Sequence, residues 1–362
     1  MPRVRVALIG CGGIARGHID AYQAMPDQCE LVYCVDVDES KARAFAEQGQ
    51  CRWATDYRAV LDEVDAVDIC TPPHLHAPMA IVAASRGKHV LTEKVMAITL
   101  EEADEMIRVA EANRVKLMVA YVTRFDPIWQ QLHAAVEQHS MGRPYLVTCR
   151  TEHAPGLAGW RSAWETFPMG CLLSHGCHYV DQMIWNFGEI VAASSMGTNT
   201  VRGLALARED TAVANFRFAN GMLGNFICSW AARHTNLYIE FSVYGTEGFL
   251  RLVYGTDGVR RLERYVGKEQ TTLYEFDPRH PGADTGPKNF VGECEHFIDC
   301  IIHDKEPLTN GRQSRQSMAA ILAAYQGDDE DRIIRLDPAA HYAAQRDRWE
   351  RQAVLASRST VV

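Results

Sequence analysis

The chain has 362 residues, 47% of them hydrophobic and 23% charged, with a formal net charge of −9. That length suits two domains, each with enough chain to bury a core. The negative balance argues against a nucleic-acid binder and against attachment to an acidic membrane surface, and no apolar run reaches the length of a membrane span.

The sequence opens on a strand pattern, without the basic segment and apolar run of a secretory signal. Its 11 cysteines are scattered and none forms a C-x-x-C pair. A reduced, cytoplasmic protein is therefore expected.

The first third alternates short apolar runs with helical patterns. VRVALIG reads as a buried strand and ARGHIDAYQAM as a helix; CELVYCVDVD and ESKARAFAEQG repeat the pair. VDAVDICTP, HVLTEK and VKLMVAY are further strands, separated by the helices HAPMAIVAASRGK and LEEADEMIRVAEANR. Strands apolar throughout, alternating with helices, predict a mainly parallel sheet covered on both faces. After residue 122 the rhythm changes. FDPIWQQLHAAVEQHSMG predicts a helix ended by glycine, and RPYLVTCRTEH a strand. Longer strands of period two follow in TAVANFRFANGMLGNFICSWAA, LYIEFSVYGTEGFLRLVYG and VRRLERYVG, joined by glycine turns. They predict a mostly antiparallel sheet with one face on the core. NFVGECEHFIDCIIHD and SRQSMAAILAAYQ are late helices. The fold class is thus α/β, with a dinucleotide-binding domain over 1–122 and a second domain over 123–362.

In GCGGIA, Gly10, Gly12 and Ala15 fit the G-x-G-x-x-A fingerprint. The first glycine permits the tight turn, the second lets backbone approach a pyrophosphate, and the small third residue lets helix and strand pack closely. The helix that follows aims its free N–H groups at the phosphates. Gly10, Gly12, Gly13 and Ile14 are the expected contacts there. Asp36 ends the second strand at the distance where a carboxylate binds the ribose diol. A carboxylate repels a 2′-phosphate, and no arginine follows it, so NAD is favoured over NADP.

Three further stretches stand beyond strand ends. In TPPHLHA, Thr71 and Pro72 form the turn beside the cofactor, while His76 caps or braces the helix it opens. In LTEKVMA, Glu93 and Lys94 end a strand; they are either a surface pair or, in a cleft, place Lys94 to stabilise a developing alkoxide. In MGCLLSHGCHYVDQMIW, Ser174, His178 and Asp181 have the spacing of one helical face. A zinc reading of Cys171, His175, Cys177 and His178 lacks the usual paired spacing, so no metal is expected. In APGLAGWRSAWE, Trp160 and Trp164 either cover an apolar sugar face or pack on the sheet, and Arg161 is a candidate to bind a carboxylate or hydroxyls. Arg124 either lines the cleft or braces the domain junction.

Taken in order, GCGGIA, TPPHLHA, GKHVLTEK and GCLLSHGCHYVDQMIW resemble the Gfo/Idh/MocA family of sugar and polyol dehydrogenases over most of the chain. The resemblance implies a Rossmann domain and an α/β domain whose open sheet mediates assembly, as a homodimer or homotetramer. It implies that Lys94 is the lysine of the Glu-Lys-Pro motif and His178 the general base. His76 and Glu93 are expected beside the cofactor, and Arg124, Trp160, Arg161, Ser174 and His175 beside a carbohydrate substrate. Two positions depart from the pattern. Val95 stands where the family has proline, and Ser174 where it has aspartate; His175, Glu152 and Asp181 are the residues that could compensate. The implied activity is NAD-dependent oxidation of a secondary hydroxyl. The alternatives are a glycoside hydrolase that oxidises its substrate transiently, and a non-catalytic dinucleotide-binding subunit.

Overall fold

The computed structural model describes residues 3–152, 154–155, 168–199, 208–232, 235–279 and 288–336. Six strands form the first sheet: β1 (Val4–Ile9), β2 (Cys29–Val35), β3 (Arg52–Ala54), β4 (Ala66–Ile69), β5 (His89–Glu93) and β6 (Leu117–Ala120). Their order is β3-β2-β1-β4-β5-β6 and every pairing is parallel. Helices α1 (Ala15–Gln23), α2 (Glu39–Gly49), α3 (His76–Ser85) and α4 (Leu100–Ala112) make the crossovers. This is the doubly wound order, with its switch point between β1 and β4, where a crevice opens at the carboxyl ends of the strands. The apolar runs are buried as expected. Asp68 is the exception, a fully buried carboxylate inside β4.

Two helices of the first domain begin where side chains satisfy their free N–H groups. Asp38 caps α2 by accepting from Ser40 and Lys41, and Thr99 with Glu102 forms a capping box on α4.

The second sheet has nine strands. After α5 (Pro127–Glu137) come β7 (Pro144–Glu152), the helices α6 (Cys171–Ser174) and α7 (Cys177–Phe187), and the strands β8 (Ile190–Thr198), β9 (Thr211–Phe218), β10 (Leu223–Ser229), β11 (Leu237–Gly245), β12 (Gly248–Gly255), β13 (Arg260–Val266) and β14 (Glu269–Phe276). Helices α8 (Phe290–Ile302) and α9 (Gly311–Asp329) and the short β15 (Ile334–Arg335) complete the described chain. The order is β14-β13-β12-β11-β7-β10-β9-β8-β15, antiparallel except for the β7–β10 pair. Period two decides which side chains go inward. In β9, Ala212, Ala214, Phe216 and Phe218 are buried and the residues between them face out.

Three details differ from the sequence-based expectation. The helix expected through Gly142 stops at Glu137, because His139 turns into the left-handed region at φ 52°. The segment around His178 is two helices rather than one. They break at Gly176, where a Cβ would stand 2.3 Å from the Leu172 carbonyl oxygen and 2.4 Å from the Phe226 ring. Ser174 therefore does not share a helical face with His178 and Asp181. Finally, α8 returns to the first sheet. Its Cys294, Phe297 and Ile298 bury against Val4, Ala15 and Ile19, so the last third of the chain is not confined to the second domain. Among the described residues no helix is long and apolar enough to cross a membrane.

Candidate active site

One cleft of about 990 Å3 runs from the switch point of the first sheet to the inner face of the second. At its first-domain end, Gly10 has φ +97°, and a Cβ there would lie 2.8–2.9 Å from the backbone of Cys70 and Thr71. Only glycine lets the ends of β1 and β4 come this close. Gly12 and Gly13 have nothing within 4 Å of the corresponding point, so the backbone before α1 is open to the cleft. Ile14 is the residue before that helix and also lines the cleft. Asp36 accepts from the Cys11 N–H at 2.8 Å and the Asp38 N–H at 2.9 Å, which fixes its carboxylate at the end of β2. Thr71 and Pro72 line the opposite wall.

Glu93 and Lys94 leave β5 at the middle of the cleft, so they are not a surface pair. Glu93 accepts from the Lys94 N–H at 3.1 Å and lies 3.3 Å from His18 Nε2. The other ring nitrogen of His18 is 2.7 Å from Asp68 Oδ2, which also accepts from the Tyr22 hydroxyl at 2.9 Å. Burial opposes a charge on His18, but Asp68 beside it raises its pKa well above the ordinary value. Burial likewise opposes ionisation of Glu93, yet the His18 hydrogen bond and charge, with Lys94, hold its pKa below the ordinary value. A buried imidazolium thus sits between two carboxylates directly behind Lys94. The Lys94–Val95 peptide is cis without a proline. The Lys94 ammonium crosses to the second domain and donates to the Ser174 carbonyl oxygen at 3.0 Å.

His178, in the first turn of α7, is the facing group. Its ring stands edge-on to Tyr121 at 5.9 Å, and its Nδ1 is buried with no hydrogen-bond partner among the described residues. Burial, then the charges of Lys94, His175 and Lys288, lower its pKa well below the ordinary range, so its imidazole is neutral at neutral pH. Ser174 and His175 line the same end, with His175 Nε2 3.4 Å from the Tyr179 hydroxyl. A neutral imidazole and an ammonium facing one space can take a proton from a hydroxyl and stabilise the oxygen left behind.

A family model described as an oxidoreductase family with an NAD-binding Rossmann fold matches residues 4–121, and a GFO/IDH/MocA C-terminal domain model matches 129–251. The chain belongs to the Gfo/Idh/MocA family. It is 28% identical over 355 residues to a D-apiose dehydrogenase of Paraburkholderia graminis, covering 92% of this chain and 90% of that one. It is 29% identical over 330 residues to a levoglucosan dehydrogenase of Pseudarthrobacter phenanthrenivorans, covering 81% and 83%. Among solved structures, the WlbA dehydrogenase of Bordetella pertussis, in complex with NADH and UDP-GlcNAcA, superposes with a TM-score of 0.79 at 27% identity, covering 93% and 99%. This Gfo/Idh/MocA chain is therefore an oxidoreductase with an NAD-binding first domain. Its residues fit that cofactor: the open backbone at Gly12 and Gly13 leads into α1, and the Asp36 carboxylate is held at the end of β2 on the wall of the same cleft.

Several expected site residues are placed differently. Arg124 does not line the cleft. It is fully buried and forks onto Asp181 at 2.6 and 2.7 Å, with the Leu308 carbonyl and Gln313 completing its partners, so it braces the second domain to the segment before α9. His76 is also fully buried and does not itself line the cleft. Its ring lies between the carbonyl oxygens of Val95 at 2.7 Å and Thr71 at 2.8 Å, fixing the backbone that forms the wall. Glu152 pairs with Arg150 and Asp181 with Arg124, so neither supplies the carboxylate missing at Ser174. The four residues weighed for zinc do not converge: the thiol of Cys171 faces Glu209 and the Cys228 carbonyl, that of Cys177 the Ser174 carbonyl. Trp160, Arg161 and Trp164 lie outside the described residues.

Sequence reasoning missed His18, Asp68 and Lys288. An aspartate inside the apolar run AVDIC was a signal for the first two. Lys288 carried none, because it lies just before a helix with no motif around it.

Proposed function

We propose that this chain catalyses NAD-dependent oxidation of a secondary hydroxyl on a sugar, glycoside or cyclitol. The observation that carries this reading is the pairing of Lys94 at the end of β5 with His178 in α7. They come from different domains and face one cleft beside the glycine turn. NAD, bound along Gly10, Gly12, Gly13, Ile14, Asp36, Thr71, Pro72 and Glu93, supplies the hydride acceptor. His178 accepts the hydroxyl proton, which its neutral state permits. Lys94 donates a hydrogen bond to the same oxygen as negative charge develops on it. Ser174 and His175 contact the substrate from the second domain. The D-apiose and levoglucosan dehydrogenase relatives support a carbohydrate substrate.

All eleven cysteines are free and all but Cys51 are buried, which supports a reducing, cytoplasmic setting. Assembly of copies through the outer face of the second sheet is supported by a stacked ladder there. Tyr244 and Phe249 stand 5.7 Å apart and Phe249 and Tyr265 4.4 Å, with Val213 and Leu223 exposed on the same face. A dimer or tetramer by light scattering is the expected result.

The test of activity is NADH formation across aldoses, glycosides, uronates, anhydrosugars and inositols, with products analysed in each case. NADH formation abolished by His178→Ala and by Lys94→Ala is expected. Cleaved glycoside without accumulating NADH would replace this reading with the transient-oxidation hydrolase.

A further inference from the structure

Lys94 belongs to the first domain and His178 to the second, so the reacting geometry depends on what holds α7 against the first sheet. The contacts gather in one short segment. Lys94 follows β5, which pairs with β6 so that Glu93 lies opposite Ala120. The chain leaving β6 turns through Val122–Phe125 and meets α7 four times. Tyr121 stands edge-on to the His178 ring at 5.9 Å, and Arg124 forks onto Asp181 at 2.6 and 2.7 Å. Thr123 Oγ1 accepts from Gln182 at 3.2 Å, and the Arg124 guanidinium lies 5.2 Å from the Trp185 ring. Residues 178, 181, 182 and 185 are spaced as one face of a helix. The stretch around His178 is thus held from two neighbouring strands. Lys94 grips the Ser174 carbonyl before it at 3.0 Å, and Arg124 grips Asp181 after it.

Arg124 is itself fixed. It is fully buried, and its Nη1 donates to the Leu308 carbonyl oxygen and to Gln313 Oε1, each at 2.8 Å. Asp181 takes a further hydrogen bond from Ser317 Oγ at 3.3 Å. A buried pair of this kind adds little stability over apolar groups of the same volume, because desolvation offsets most of the attraction. What the fork supplies is direction, since two parallel N–H···O bonds fix distance and angle together. The charges that lower the His178 pKa are those of Lys94, His175 and Lys288, so the pair acts on His178 through position and not through its field.

We infer that Arg124 and Asp181 are positioning residues whose fork sets where His178 stands relative to Lys94, and so aligns the substrate hydroxyl between base and donor. The inference rests on the oxidation proposed above. It adds two residues that do not line the cleft.

The experiment uses Arg124→Met/Asp181→Leu, which removes both partners together and leaves no unpaired charge, and Arg124→Lys, which keeps the charge and loses the fork. With the best substrate of the sugar screen, kcat should fall about 10–100-fold in the double variant and about 10-fold in Arg124→Lys, as a displacement of about 1 Å typically costs. KM for NAD should stay within about threefold, the split expected of a group that acts on the chemical step. The primary deuterium isotope effect on kcat should rise, because hydride transfer slows relative to cofactor release. Calorimetric titration with NADH counts the folded sites in each variant. A loss of kcat matched by an equal loss of NADH sites would make the pair a fold brace only and overturn the inference. So would an unchanged kcat in both variants, or a change confined to KM. If the wild type oxidises no sugar, the proposed oxidation fails, and crystal structures with NADH still judge the clamp. His178 should then lie displaced from Lys94 in the double variant, and an unmoved His178 overturns the inference.

Discussion

The Lys94 ammonium donates to the backbone carbonyl of Ser174 at 3.0 Å, so the strand carrying the proposed oxygen donor is tied to the turn that leads into His178. The tie uses the main chain, and therefore survives the loss of the family aspartate at this position. Lys94→Met removes both the tie and the charge. It should lower kcat by about 10²–10³-fold, as removal of one preorganised donor typically does. NAD affinity, measured by fluorescence quenching, should change by less than about threefold, since the ammonium faces the substrate end. A large loss of NAD binding would instead assign Lys94 to the cofactor.

His178 sets the acid limb of the pH profile. Burial, and the basic groups Lys94, His175 and Lys288, lower its pKa well below the ordinary 6.5. The base must be neutral to act, so activity is present above its pKa and is lost as pH falls through it. kcat/KM should hold through the ordinary histidine range and fall only at more acidic pH. In Lys288→Met one opposing charge is gone, and the limb should move upward. A limb at or above 6.5 in the unmodified protein, or one unmoved by the substitution, would contradict this account of the site.

How far the site was legible follows from what each residue's neighbours in sequence reveal. Gly10 and Asp36 could be read because strand, turn and helix surround them in fixed order, and Lys94 and His178 because the family segments frame them. Arg124 could not be placed, because its partners Asp181 and Gln313 lie 57 and 189 residues away and nothing local records the pairing. The helix break at Gly176 was hidden for a similar reason. The Phe226 ring that requires glycine there is supplied by β10, far away in sequence. The alternation that predicted the second sheet was local and strong in β9 and β12, whereas the three-residue β3 and two-residue β15 are too short to carry a period.

The buried triad of Asp68, His18 and Glu93 should matter for stability as well as for placing Lys94. Asp68→Asn breaks the shorter of the two ion pairs of the His18 imidazolium and leaves it Glu93 at 3.3 Å, and breaking a buried pair costs about 3–5 kcal/mol. The signs follow from the two shifts. His18 has its folded pKa raised above 6.5, so its contribution is full below that value and fades as pH rises through the folded pKa. Glu93 has its folded pKa lowered from 4.5, so its contribution is present above 4.5 and lost as pH falls through the folded pKa. The gap in unfolding free energy between wild type and Asp68→Asn should therefore be widest between 4.5 and 6.5 and narrow at alkaline pH. Urea unfolding at a series of pH values measures it. A gap that widens with rising pH would mean that His18 is neutral in the folded protein.

Cofactor choice should rest on Asp36. Its carboxylate is oriented by the Cys11 and Asp38 N–H groups, which leaves its remaining lone pairs for a ribose diol at the end of β2. Asp36→Asn keeps one acceptor oxygen for that backbone and removes the negative charge that repels a 2′-phosphate. A hydrogen bond to a charged group is worth about 1.5–3 kcal/mol, so the ratio of kcat/KM for NAD to that for NADP should fall by about 10–100-fold. Both halves of the ratio are informative. NAD should lose because a charged acceptor is gone, and NADP should gain because the repulsion is gone. If NAD weakens while NADP does not improve, the carboxylate serves mainly to hold the glycine turn, and discrimination lies with neighbours such as Val37 and Lys41 along the same wall.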